Sequence, residues 1–78
     1  MDWKEETKMK FAGRLLALLE EQEKRTGTKT SLRQLAARSG LEYSQVQRIS
    51  KGQVDLALTT IVALATGLDL PAKELLDF

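Results

Sequence analysis

The sequence predicts an all-α fold of five helices packed into one compact domain. Three observations carry that expectation. Apolar residues recur at spacings of three and four along most of the chain, no stretch alternates apolar and polar residues as a strand would, and single glycines and one proline punctuate the 78 residues. The length suits a single domain over residues 1–78. A domain of this size buries only about 60% of the surface its unfolded chain exposes, so every element must feed one core. A hydrophobic content of 42% is that of a folded chain, not a disordered one.

The first helix is expected from Trp3 to Lys24. Phe11, Leu15 and Leu18, with Ala12, Leu16 and Leu19, form a broad apolar stripe opposite a charged face. Gly27 ends it, since glycine accepts the left-handed conformation past a helix terminus, and residues 26–30 form a loop. Trp3 has two readings, an anchor against the far end of the bundle or a contact with a second copy, and the first is preferred. Ser31 opens the second helix with a capping box. Its hydroxyl accepts a free backbone N–H while Gln34 reaches back to the cap residue. Leu32, Leu35 and Ala36 form the buried side, and Gly40 ends the helix after two turns.

A third helix is expected from Tyr43 to Lys51. Only Val46 and Ile49 on it are aliphatic, with Leu41 just before it, so a narrow edge anchors the helix and a broad polar face meets solvent. Gly52 stops it. The fourth helix covers Thr59 to Thr66, turns Ile61, Leu64 and Ala65 inward and ends at Gly67. The fifth runs from Pro71, whose fixed φ suits a first helical turn, to Leu76, tethered by Leu70, Leu75 and Leu76.

Composition narrows function. Cysteine and histidine are both absent, which removes thiolate and imidazole metal ligands and the usual general base at neutral pH. The carboxylates are scattered along helix surfaces. No enzymatic activity, metal or cofactor is expected. No apolar run approaches the roughly 20 residues that span a bilayer, and the mixed-charge start, residues 1–6, has no apolar core of the signal-peptide kind, so a cytoplasmic location without membrane attachment is expected.

Net charge is +1, but it is unevenly spread. Residues 1–27 hold six Lys/Arg and six Asp/Glu; residues 28–53 hold five against one; residues 54–78 hold one against four. A basic middle is the distribution that favours a nucleic-acid face. That middle third also holds the most informative arrangement: two short helices joined at a tight glycine turn, the second displaying hydrogen-bonding side chains. This is a helix-turn-helix. Ala36 lets the helices cross closely, Gly40 permits the turn, and Leu41, Val46 and Ile49 pin the second helix so that its free face can enter a major groove about 12 Å wide.

The runs Ser31 to Ala36, Gly40-Leu41, Val46 to Ile49 and Gly52, continued by Leu58 to Ala65, Leu68 and Lys73-Glu74-Leu75, resemble the Cro/repressor class of helix-turn-helix proteins, also called XRE-like or lambda-repressor-like. The resemblance covers about Phe11 to Leu76 and rests on the combination, not on any one piece. There are departures. Leu32 stands where the family usually has Gln, Ser50 where it favours an acidic residue, Glu42 at a Ser/Thr cap, Leu56-Ala57 where Pro-Ser often stands, and the first loop is long.

The resemblance implies a lambda-repressor-like DNA-binding domain, and with it a transcriptional regulator, expected to repress, that binds a palindromic double-stranded operator as a homodimer, as helix-turn-helix dimers do. On the recognition helix it assigns base contacts to Tyr43, Ser44, Gln45, Gln47 and Arg48. Phosphate contacts fall to Ser31, Arg33, Lys51 and Gln53, with Lys29 and Arg38 weaker candidates. The dimer surface is expected on the fourth and fifth helices through Leu70, Leu76 and Phe78, residues that equally suit a core. The acidic residues Asp69, Glu74 and Asp77 should face away from DNA. A second reading, a protein-interaction module of the same fold such as an antitoxin or assembly subunit, is favoured by Leu32 and the near-neutral total charge.

Overall fold

The computed structural model describes residues 2–78. Four α-helices follow one another, α1 (Trp3–Thr26), α2 (Leu32–Ser39), α3 (Tyr43–Ser50) and α4 (Leu58–Leu68), and a 3-10 helix (Ala72–Leu76) closes the chain. Strands are absent among the described residues.

The helix ends follow from local chemistry. The carboxylate of Asp2 accepts the Lys4 N–H at 2.7 Å, Glu5 and Glu6 occupy the first turn of α1, and Lys24 and Arg25 the last, so charge complements the helix dipole at both ends. The capping box of α2 is formed: Ser31 Oγ accepts the Gln34 N–H at 3.1 Å, and Gln34 Oε1 accepts the Ser31 N–H at 2.9 Å. Glu42 precedes α3 without a side-chain capping bond, as expected of a poor cap.

All five elements contribute to one apolar core. Leu15 from α1, Leu35 from α2, Val46 and Ile49 from α3, Leu64 and Leu68 from α4 and Leu75 from the 3-10 helix are fully buried. No polar or charged residue among those described is buried with them. None of the helices is long and apolar enough to cross a membrane.

Four sequence expectations need correction. The chain has four α-helices, not five, because the segment after Pro71 is a 3-10 helix. Its Glu74 N–H closes on the Pro71 carbonyl at 3.0 Å, the i to i+3 bond of a 3-10 turn, and Arg14 Nε donates to the Glu74 carbonyl of the last turn at 2.7 Å, tying the segment to α1. The α1 stripe is narrower than expected, with Leu16 exposed. Trp3 is no core anchor: it is 71% exposed at the start of α1, more than two turns before Phe11, the first buried residue.

Finally, Gly67 does not stop α4. The helix runs through it to Leu68 and ends at Asp69, which takes the left-handed conformation (φ 57°). Gly67 is buried because α2 crosses α4 there. A Cβ at this position would collide with Ser39 Oγ and come within 3.2 Å of both Leu35 Cδ1 and the Ser39 backbone nitrogen. Two effects oppose each other in Gly67→Ala. Helix propensity favours alanine by about 1 kcal/mol. Overpacking of a tight crossing costs about 1–3 kcal/mol. The crossing should dominate, so Gly67→Ala is expected to lower the urea midpoint, by about 1 kcal/mol in stability; an unchanged or raised midpoint would mean that α2 and α4 separate freely.

Candidate nucleic-acid interface

The turn between α2 and α3 sets the orientation of the polar helix. Gly40 adopts φ 69°, its N–H reaches the Ala37 carbonyl at 3.4 Å, and the Leu41 N–H reaches back to Ala36 at 3.0 Å. This paired closure satisfies the last carbonyls of α2 and is open to glycine because an L side chain resists that φ. Three residues later Tyr43 begins α3.

On α3, Val46 and Ile49 are buried to 0% and 1% exposure and fasten the helix to the core. Ser44, Arg48 and Lys51 are exposed, as is Gln53 beyond the helix, while Tyr43, Gln45 and Gln47 are half-buried along its flanks. Ser31 and Arg33 are exposed at the start of α2.

Apart from Ser31, the expected site residues fall into three groups. Arg33, Tyr43 and Gln47 form a connected cluster: the Arg33 guanidinium lies 4.0 Å from the centroid of the Tyr43 ring, and Gln47 Nε2 donates to Tyr43 Oη at 3.1 Å. Ser50 Oγ donates to the Gln47 carbonyl at 2.7 Å, so the serine in the family's acidic position binds its own helix. Ser44, Gln45 and Arg48 line an open groove of about 280 Å³ together with Glu42, Asp55 and Thr60. Lys51 and Gln53 continue the face past the end of α3 with no side-chain hydrogen bond or ion pair among the described residues, as does Arg48.

Ser31 is more committed than its exposure suggests. Its N–H and its hydroxyl lone pair both serve the capping box. The donors left open at this terminus are its hydroxyl hydrogen and the first-turn N–H groups of Leu32 and Arg33, which have no intrahelical acceptor.

Asp55 and Thr60 were not legible as site residues. One lies in the loop after α3 and the other on α4, and the tertiary fold brings them into the groove that Arg48 lines. The Asp55 carboxylate is 84% exposed and 4.0 Å from Lys8 Nζ of α1, which tempers its negative charge beside the groove.

Ion pairing sorts the cations. Lys8, Lys10, Arg14 and Lys24 each pair with a carboxylate, and all four lie on α1. Arg33, Arg48 and Lys51 have no carboxylate partner among the described residues. The helix-turn-helix therefore presents uncompensated positive charge although the chain as a whole is nearly neutral.

The family model described as the Cro/C1-type helix-turn-helix DNA-binding domain matches residues 23–78. Among solved structures, the restriction-modification controller protein C.AhdI from Aeromonas hydrophila is similar, with a TM-score of 0.73 and 38% sequence identity over 87% of this chain and 94% of that one. No curated protein matches the chain. The matched residues take in the whole of α2, the turn, α3 and α4, and the chain belongs to the Cro/C1-type helix-turn-helix family of DNA-binding transcriptional regulators.

Proposed function

We propose that the protein is a sequence-specific regulator that inserts α3 into the major groove of a palindromic operator as a homodimer and represses transcription by occupying it. The observation that carries this reading is the division of α3: two fully buried side chains fix it, and the exposed side chains of Ser44 and Arg48, with Lys51 just beyond, make no hydrogen bond or ion pair among the described residues. Arg48 suits a bidentate contact to guanine O6 and N7. Tyr43, Ser44, Gln45 and Gln47 complete the base-reading face, and Ser31, Arg33, Lys51 and Gln53 meet phosphates at its two ends. The likeness to C.AhdI over nearly the full length of both chains favours control of a restriction-modification gene set as the regulatory task.

Dimerisation is supported by an unpartnered apolar surface. Leu58 and Val62, one turn apart on α4, are 73% and 47% exposed, and Leu76 and Phe78 at the C-terminal end are 49% and 52% exposed. Phe78, Leu76 and Trp3 border one apolar hollow over Ile61. Leu70, expected here as well, is half-buried against the core, which leaves Leu76 and Phe78 as the C-terminal contacts. One module of this size buries too little DNA surface for tight specific binding by itself.

Selection from a random duplex library at about 50 and 200 mM salt should return a palindromic motif and an affinity that falls about a thousandfold or more between the two conditions. Retention without a motif would instead favour the protein-interaction reading. Arg48→Ala should weaken binding by about 1–3 kcal/mol and relax preference at one base position in each half-site; an unchanged motif would remove Arg48 from base reading. Phe78→Asp should shift sedimentation from dimer to monomer and abolish tight binding to the full palindrome, and a dimer that survives it would place the interface elsewhere.

A further inference from the structure

The cluster at the α2–α3 junction joins residues from two different classes of expected DNA contact. Arg33 belongs to the phosphate set and Gln47 to the base-reading set, and Tyr43 touches both through different parts of one side chain. The ring face takes the Arg33 guanidinium at 4.0 Å, and the hydroxyl oxygen takes the Gln47 amide at 3.1 Å. Tyr43 is itself fixed: it is half-buried, packs against the core and sits in the first turn of α3.

The chemistry of each contact gives it direction. A guanidinium lying over a ring satisfies its charge in part through the ring quadrupole and keeps its edge donors free. Without that platform, a long exposed arginine samples many rotamers and loses their entropy on binding. Gln47 is equally flexible until its amide is tied. Once one Nε2 hydrogen is given to Tyr43 Oη, the amide keeps its second N–H and the lone pairs of its oxygen, and the Tyr43 hydroxyl retains its own hydrogen for donation.

Resting on the reading of α3 as a major-groove helix, we infer that Tyr43 is the residue that couples phosphate anchoring to base reading. It holds Arg33 at the backbone and Gln47 at the base edges, so one side chain sets both the register of the domain and the pose of a specificity determinant. Tyr43 is thus a positioning residue before it is a contact.

Two substitutions separate its two arms. Tyr43→Phe keeps the ring and removes the hydroxyl; Tyr43→Leu removes both while keeping apolar bulk against the core. Binding of each purified full chain to the selected operator, and to single-base variants of it, is measured across a salt series, with thermal unfolding to establish that the chain is folded. Tyr43→Phe should flatten the base preference at one position per half-site by about fivefold or more while the salt slope stays at the wild-type value. Tyr43→Leu should flatten the same position and reduce the salt slope by about one per protomer, the same reduction as Arg33→Ala. Adding Arg33→Ala to Tyr43→Leu should then change the slope no further. A Tyr43→Phe protein with undiminished preference, or a Tyr43→Leu protein with the wild-type slope, overturns the coupling. A wild-type chain that selects no motif overturns instead the DNA-reading assignment on which the coupling rests.

Discussion

An eight-residue helix does not persist in water, where isolated helices shorter than about 12–15 residues are marginal. α3 has eight residues, a cap residue that makes no side-chain capping bond, and a surface that is mostly polar. Its existence therefore depends on Val46 and Ile49, the two side chains it buries fully in the core, with Tyr43 packed half-buried beside them. Val46 and Ile49 lie three positions apart, so they occupy one edge and leave the opposite face, with Ser44 and Arg48, exposed. The remaining elements serve that anchorage. α1 supplies Leu15, α2 and α4 cross at Gly67 to supply Leu35, Leu64 and Leu68, and the 3-10 helix closes the base with Leu75. The helix that offers the most polar surface is thus the one least able to stand alone, and the fold around it is a clamp.

The same division governs charge. A chain with a net charge of +1 has no general attraction for a polyanion. What it has is a distribution in which four of the six α1 cations meet a carboxylate, Lys8 with Glu5, Lys10 with Glu6 and Lys24 with Glu20 on the helix surface and Arg14 with Glu74 across to the 3-10 helix. The surface pairs contribute little to stability, a few tenths of a kcal/mol each. Their consequence is electrostatic. They remove competing positive patches and leave the α2–α3 face as a localised source of field, which steers an encounter toward one orientation. The Arg14–Glu74 contact does more, because its hydrogen bond to the Glu74 carbonyl also fixes the C-terminal segment that carries Leu76 and Phe78.

What was legible in the sequence is what is local along the chain. The capping box at Ser31, the glycine turn at Gly40 and the buried pair on α3 follow from spacing and residue type, and all three are formed. Where the expectation failed, a distant element decided the matter. Gly67 has the residue type of a helix stop, but its role is to let α2 approach, which periodicity cannot register. Pro71 has the type of a helix start, but the segment it opens is a 3-10 helix whose Glu74 carbonyl is held from α1 by Arg14. The exposed face of α3 was legible as a set of residues; the stacking of Arg33 on Tyr43 and the groove shared with Asp55 were not, because they join elements separated by turns.

The departure at Leu32 shows how the two levels meet. A glutamine at the start of α2 would offer an amide to a phosphate, and leucine offers none. Leu32 is half-buried and packs against the core, so the position has been given to stability. The next residue, Arg33, lies about 100° further round the helix, where the side chain is exposed and the neighbour is the Tyr43 ring. A guanidinium there brings a full charge and several donors to the place where an uncharged amide has been lost. It is also longer, and a longer side chain needs a support to be directed; Tyr43 at the first position of α3 is within reach to supply it. On the proposed DNA-binding reading, the leucine at 32, the cation at 33 and the aromatic at 43 are three parts of one arrangement, in which the group offered to a phosphate stands one residue further along α2 and is stacked on α3.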